Sequence, residues 1–289
     1  MRALAAAFAL CAATLAHAVD AMKDDLGREV AQVGVGKRIV ALSPFITEVV
    51  FSIAAGFELV GVSEFSDYPP YARTITKVSG SAGVAWEKLA AVRPDLVFAW
   101  KDSLRGGDLE RFKELGIPVF VMAGRRLDDV PRAMRSAAWM LGRNPPDVIA
   151  AFEKRVADLR AQNAVKPRVT VLLEVQHRPL LTVAGEHFMN DALAVCGADN
   201  AFASLPGVAP EVSWELLMAR NPMAIVGAGA AQNEQAFRDR WGEHATLSAV
   251  KNGAFVYVDW DHFSRPSPRL ADGIEALCRG IDGVRKKKD

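Results

Sequence analysis

Cysteine is nearly absent, with three in 289 residues. That count excludes an iron–sulfur centre and a cysteine-built structural zinc site. An excess of charge of either sign is missing too: 35 Lys and Arg face 34 Asp and Glu, a formal +1. Setting aside Arg2, Arg285, Lys286, Lys287, Lys288 and Asp289 leaves 30 basic against 33 acidic residues, net −3. A near-neutral body with a small basic tail is not built to neutralise a phosphate backbone, which argues against nucleic acid as a partner. Catalytic signatures are also lacking. There is no Gly-x-Ser-x-Gly elbow, no His-Glu-x-x-His and no P-loop lysine. The run Gly227-Ala228-Gly229-Ala230-Ala231-Gln232 lacks the third glycine of a dinucleotide loop. His177, His187, His244 and His262 stand singly, without metal-ligand spacing. These absences read as a chain that is not an enzyme and holds no cofactor. What is present, 51% hydrophobic and 24% charged residues, belongs to a globular fold.

The first eighteen residues carry a different signal. Met1 and Arg2 open an apolar run over 3–15, and Ala16-His17-Ala18 offers small residues at a cleavage site. This reads as a secretory signal peptide, too short to span a membrane, and hence as a periplasmic location. Leu10 is too bulky for a lipobox ahead of Cys11. Once the signal is removed, only Cys196 and Cys278 remain. In an oxidising compartment they have one connectivity, and a disulfide is expected; two unpaired buried thiols are the alternative.

Downstream, short β-branched runs alternate with helical stretches. Strands are expected over 38–42, 59–62, 96–98, 119–122, 169–173, 224–226 and 255–258. Ser43-Pro44 supplies an N-cap and a first-turn proline for a helix reaching Ala55. Strands separated by helices imply parallel sheets, an α/β architecture. Between Pro145 and Gln162 no breaker interrupts Val148, Ile149, Phe152, Val156 and Leu159 at helical spacing, which makes a rod about 27 Å long. The chain also repeats itself. Trp86-Glu87-Lys88-Leu89-Ala90-Ala91-Val92-Arg93-Pro94 matches Trp214-Glu215-Leu216-Leu217-Met218-Ala219-Arg220-Asn221-Pro222 at an offset of 128, and Val97 meets Ile225. The expected organisation is therefore a signal peptide (1–18), two similar lobes (19–144 and 166–282) joined by a backbone helix (145–165), and a basic tail (283–289).

Such lobes leave a cleft faced by loops at the carboxyl ends of their strands. Those loops would be Ser66-Asp67-Tyr68-Pro69-Pro70-Tyr71, Trp100-Lys101-Asp102, Gln176-His177-Arg178 and 259–265. Rings interleaved with a few charges suit a large, flat, partly polar ligand.

The residues carry a resemblance as well. Arg38-Ile39-Val40-Ala41-Leu42-Ser43-Pro44 with Thr47-Glu48, then Ser66-Asp67-Tyr68-Pro69-Pro70, Arg93-Pro94-Asp95-Leu96-Val97 and Ala99-Trp100, resemble the periplasmic cobalamin-binding proteins of ABC importers. Cys196-Gly197, Trp241-Gly242 and Arg265-Pro266-Ser267-Pro268-Arg269 extend the likeness over about residues 37–282. The wider family joins two lobes by one helix and serves cobalamin, haem, ferric siderophores and metal ions. By this resemblance, Tyr68 and Trp100 pack on a corrin from the first lobe, while Asp261 and Arg265 approach its amide-bearing edge from the second. Glu87 and Glu215 would dock a two-fold-symmetric membrane permease, although both also sit where a helix N-terminus favours an acid. Cys196 and Cys278 correspond to the family's disulfide. Ser81, Leu181 and Ala209 stand where further pocket aromatics are expected, so Trp260 or Phe263 would take over. The expected protein is a monomeric receptor for cobalamin or a related corrinoid. Alternatives are a haem or ferric-siderophore receptor and, more remotely, a two-lobed metalloenzyme or chelatase.

Overall fold

The computed structural model describes residues 21–287; the expected signal peptide lies outside them. In chain order the first half contains strands β1 (Ala21–Lys23), β2 (Glu29–Ala31), β3 (Ile39–Ala41), β4 (Leu59–Ser63), β5 (Lys77–Gly80), β6 (Gly83–Val84), β7 (Leu96–Trp100) and β8 (Val119–Met122). Its helices are α1 (Pro44–Ser52), α2 (Trp86–Ala91), α3 (Asp108–Glu114) and α4 (Asp129–Met140). Helix α5 (Asp147–Ala164) leads into β9 (Val169–Leu173), β10 (Ala198–Asn200), β11 (Ala224–Gly229) and β12 (Phe255–Asp259). Around them lie α6 (Phe188–Val195), α7 (Trp214–Arg220), α8 (Glu234–Asp239), α9 (Ser248–Lys251), α10 (Trp260–Phe263) and α11 (Leu270–Lys286).

Two sheets result, one of six strands in the order β6-β5-β4-β3-β7-β8 and one of four in the order β10-β9-β11-β12. Every pairing in them is parallel except β5 with β6. The fold is α/β with two lobes, as expected. Within the larger sheet, β4-β3-β7-β8 repeats the order β10-β9-β11-β12, so each lobe is built on the same four-strand unit. The sequence repeat maps onto it: α2 leads to β7 and α7 leads to β11. Leu89 and Leu217 are fully buried, and Arg93 and Asn221, at the same offset, both take positive φ (42° and 39°) just before a proline. That uncommon backbone turn, shared at the same offset, supports a common unit.

Strand residues alternate between two cores, because successive side chains leave opposite faces of a sheet. Ile39 and Ala41, Leu96 and Phe98, Val171 and Leu173, and Ala224 and Val226 face one large cluster that runs through both lobes. Val40 and Val97 face a cluster private to the first lobe, and Leu172 and Ile225 one private to the second. Burial on both faces is why these strands read as unbroken apolar runs. Helix α5 belongs to the shared core through Ile149, Phe152, Val156 and Leu159, and it packs on α4, α6 and α11. Burying four such side chains at roughly 1.5–3 kcal/mol each fixes it firmly to both halves. On its other flank Arg155 bridges to Asp272 at 2.5 Å and to Glu275.

Two local expectations are corrected. Helix α1 ends at Ser52 rather than Ala55, because Ala54 adopts positive φ (59°) and Gly56 opens a short 3-10 turn. The strands β5, β6 and β10 and the β1–β2 hairpin were not expected, being too short to show a period. Cys196 and Cys278 form a disulfide that ties the end of α6 to α11.

Candidate ligand-binding cleft

A cleft of about 960 Å³ opens between the lobes. Its first wall is built from residues that follow the carboxyl ends of four parallel strands: Ser43 to Phe45 after β3, Phe65 after β4, Trp100 and Asp102 at β7, and Gly124 and Arg125 after β8. Facing it are Val175 and residues 183–189 after β9, Val208 after β10, and Trp260 with Ser264 to Pro266 after β12. Both sheets thus point their carboxyl ends at one cavity, the place where open parallel sheets accept ligands.

Trp100 is held rigidly. Its Nε1–H donates to the Ala123 carbonyl at 2.7 Å, and its ring meets Phe45 edge-on with centroids 6.0 Å apart. Trp260 on the opposite wall is freer, 41% exposed. Gly124, at φ 64°, lies where a Cβ would come within 3.2 Å of Phe45 and of Pro266 from the other lobe. A side chain there would push the walls apart.

The lobes are also joined by charge. Glu48 on α1, almost fully buried, accepts Arg265 Nη1 at 3.0 Å, Ser267 Oγ at 2.6 Å and Arg269 Nε at 2.9 Å. Arg265 further pairs with Asp67 at 2.6 Å and Asp261 at 3.0 Å. Burial alone would raise the Asp67 carboxyl, but the hydrogen bond and charge of Arg265 hold it below its usual range. Arg269 lies 3.8 Å from the centre of the Tyr68 ring. On another side Arg126 crosses to Asp191 at 2.9 Å and Glu186 at 3.1 Å.

Among the residues expected to bind, Trp100, Trp260 and Arg265 line the cleft. Tyr68 is not among the lining residues; one face of its ring meets Arg269 and the side chain stays 44% exposed. Asp261 pairs with Arg265 and is not among the lining residues, and Phe263 is fully buried in the shared core, with no surface to offer a ligand. The helical period explains Phe263: α10 has a single turn, so only one of its faces can reach the cleft. The loop 176–178 is likewise displaced. His177 packs edge-on to Trp214 and Trp241 with neither ring nitrogen hydrogen-bonded, Nδ1 lying 3.6 Å from Glu174, and it is not among the lining residues. Ser81, Leu181 and Ala209 do not line the cavity, although Val208 does.

Sequence reasoning missed Phe65, Arg125, His187 and the hub carboxylate of Glu48. Phe65 could have been found, since it immediately precedes the Ser66-Asp67 loop. His187 caps α6, its Nδ1 accepting the Met189 N–H at 3.2 Å, with its ring stacked on Phe188. Burial pushes its pKa down to about 4, so it is neutral in the cleft. Glu87 and Glu215 are both exposed, each in the first turn of a helix leading to an interior strand. Glu215 is held below the ordinary range by its own backbone N–H and by Ser213. Among the described residues no group of three or more His, Cys, Asp or Glu could hold a metal ion, and no helix is long and apolar enough to cross a membrane.

The family model described as periplasmic binding protein matches residues 39–261. A vitamin B12-binding protein of Pectobacterium carotovorum subsp. carotovorum is 30% identical over 255 residues, covering 86% of this chain and 89% of that protein. One from Vibrio parahaemolyticus serotype O3:K6 is 28% identical over 254 residues, covering 87% and 92%. The crystal structure of the periplasmic vitamin B12 binding protein BtuF of Vibrio cholerae aligns with a TM-score of 0.79 and 27% identity, over 86% of this chain and 98% of that one.

Proposed function

The chain belongs to the periplasmic binding protein family, and from that premise we propose that it is the receptor of an ABC importer, binding cobalamin or a related corrinoid in the inter-lobe cleft and passing it unaltered to the membrane permease. The observation that carries this reading is the cavity of about 960 Å³ with a tryptophan on each wall. That size lies at the upper end for small-molecule sites, and two opposed aromatic rings suit a broad, flat macrocycle. The vitamin B12-binding relatives, matched over most of their length, support the same cargo. On this reading residues 1–18 direct export to the periplasm, 19–144 and 166–282 are the lobes, and 145–165 is the connector. On the same reading Trp100, Trp260 and Arg265 bind and orient the cargo, which is held reversibly with no bond made or broken. The receptor acts as a monomer.

Calorimetric titration with cyanocobalamin, haem and a ferric siderophore tests the cargo. Saturable one-to-one binding of cyanocobalamin is expected; silence toward it beside clear haem or siderophore heat would overturn the corrinoid reading. Glu87 and Glu215 are the permease-docking pair in this proposal, exposed carboxylates placed alike by the internal repeat. The double change Glu87→Ala, Glu215→Ala should leave cyanocobalamin affinity within twofold and abolish uptake in a reconstituted transporter assay. Uptake persisting in the double variant removes the docking role.

A further inference from the structure

We propose that His187 is a specificity-determining hydrogen-bond donor to the cargo, presenting Nε2–H to an acceptor oxygen on the ligand's edge, and that its imidazole is not a metal ligand. This rests on the corrinoid reading above. The argument begins with the cap. His187 immediately precedes α6, and its Nδ1 accepts the Met189 N–H at 3.2 Å. A neutral imidazole has one donor nitrogen and one acceptor nitrogen. With the acceptor committed to the helix, the proton resides on Nε2, which has no partner among the described residues. A nitrogen that carries a proton has no lone pair for cobalt or iron. Ligation would demand the other tautomer, and that tautomer breaks the cap.

The ring is also fixed in aim, stacked on Phe188 with centroids 4.6 Å apart and 28° between planes. It lines the cleft. The charged groups around it are Asp191 on its own helix and Asp102 and Arg125 from the opposite lobe. Asp102 and Arg125 pair with each other at 3.3 Å, and Asp191 is held by Arg126. Each carboxylate faces an arginine and neither accepts from Nε2, which leaves the donor for the ligand. Burial keeps the ring neutral near pH 7, in accord with the geometry. A corrinoid offers acceptor oxygens in two places, the amide carbonyls around the ring and the phosphate and ribose of the nucleotide loop.

The test uses the whole protein with cyanocobalamin and with cobinamide, which keeps the amides but lacks the nucleotide phosphate. Two variants separate donation from packing: His187→Ser retains a capping oxygen, and His187→Phe retains the ring but has no donor. Both should weaken cyanocobalamin about fivefold to tenfold, as expected for one lost hydrogen bond. Cobinamide losing the same factor assigns the amide edge; cobinamide unaffected assigns the nucleotide loop. Aquocobalamin bound to the unmodified protein should keep its water-ligated visible spectrum. Full affinity in His187→Phe, or a histidine-ligated spectrum that disappears in His187→Ser, overturns the proposal. If the unmodified protein ignores cyanocobalamin, the cargo reading falls and this inference falls with it. If it binds cyanocobalamin and both variants bind equally well, the inference falls alone.

Discussion

In the first lobe β3 passes to α1 through Leu42 and Ser43 alone, whereas in the second the equivalent strand β9 is followed by residues 174–187 before α6 begins. The two lobes otherwise share a strand order, a buried leucine and a positive-φ residue before proline. The long second connection supplies Val175, Val183 to Glu186 and His187 to the cleft, and the short first one supplies only Ser43, with Pro44 and Phe45 from the start of α1. One copy of the four-strand unit therefore presents a tight, helix-capped wall, and the other presents an elaborated one. Loops at the carboxyl ends of strands can lengthen without disturbing the sheet, so specificity accumulates there. On the proposed reading, this asymmetry would give the first lobe rigid aromatic contact through Trp100 and the second lobe directional polar contact through His187 and Arg265.

The largest expected effect strikes the junction of the two lobes. Glu48→Gln would leave Arg265 and Arg269 without their shared carboxylate in a buried site, and urea unfolding should register a loss of about 3–5 kcal/mol. A change below 1 kcal/mol would mean that the lobes are held by the common core alone. Next comes the staple that only the second lobe possesses. Replacing Cys196 and Cys278 by serine should cost about 2–4 kcal/mol in the same assay, given the 82-residue separation they close. That loss should also loosen the elaborated wall, because the disulfide anchors the far end of the helix that His187 caps.

The division of labour between walls is read from two tryptophans. Trp100→Ala should weaken cyanocobalamin by about 2–3 kcal/mol, since a locked ring loses its whole contact face. Trp260→Ala should cost about 1 kcal/mol, because that ring stays 41% exposed. Equal losses in calorimetry would erase the claimed asymmetry. Smallest is a pH effect. With the folded pKa of His187 pushed to about 4 and an unfolded value near 6.5, the unfolded chain takes up the proton first as pH falls. Its contribution is complete above pH 6.5 and is lost between 6.5 and about 4, on the order of 1 kcal/mol after allowing for partial solvent access. Melting temperatures of His187→Ser should therefore fall less than those of the unmodified protein over that window.

Much of the fold was legible because it follows from local pattern. Apolar runs bounded by Gly, Pro and Ser marked seven of the ten strands of the two sheets, and Val148 to Leu159 marked α5 by its period. Short pieces such as β10 escaped because three residues carry no period, and they pair only when a neighbouring strand offers its edge. At the cleft, the aromatic loops at Trp100 and Trp260 were visible as composition. Tyr68 and Phe263 looked equivalent to them in sequence, yet one ring meets Arg269 outside the cavity lining and the other is enclosed in the core.

By itself, the order of residues determined the α/β class, the doubled unit, the stiff connector, the disulfide partners and the strand ends around which a ligand site must form. Each of these depends on neighbours within a few positions or on a count. Tertiary structure alone decided that Glu48 meets Arg265 across 217 positions, that His177 lies under two tryptophans and that His187 faces the cavity. A side chain's role at such sites is set by what surrounds it in space, and residues so far apart in the chain become neighbours only after both sheets have packed on α5.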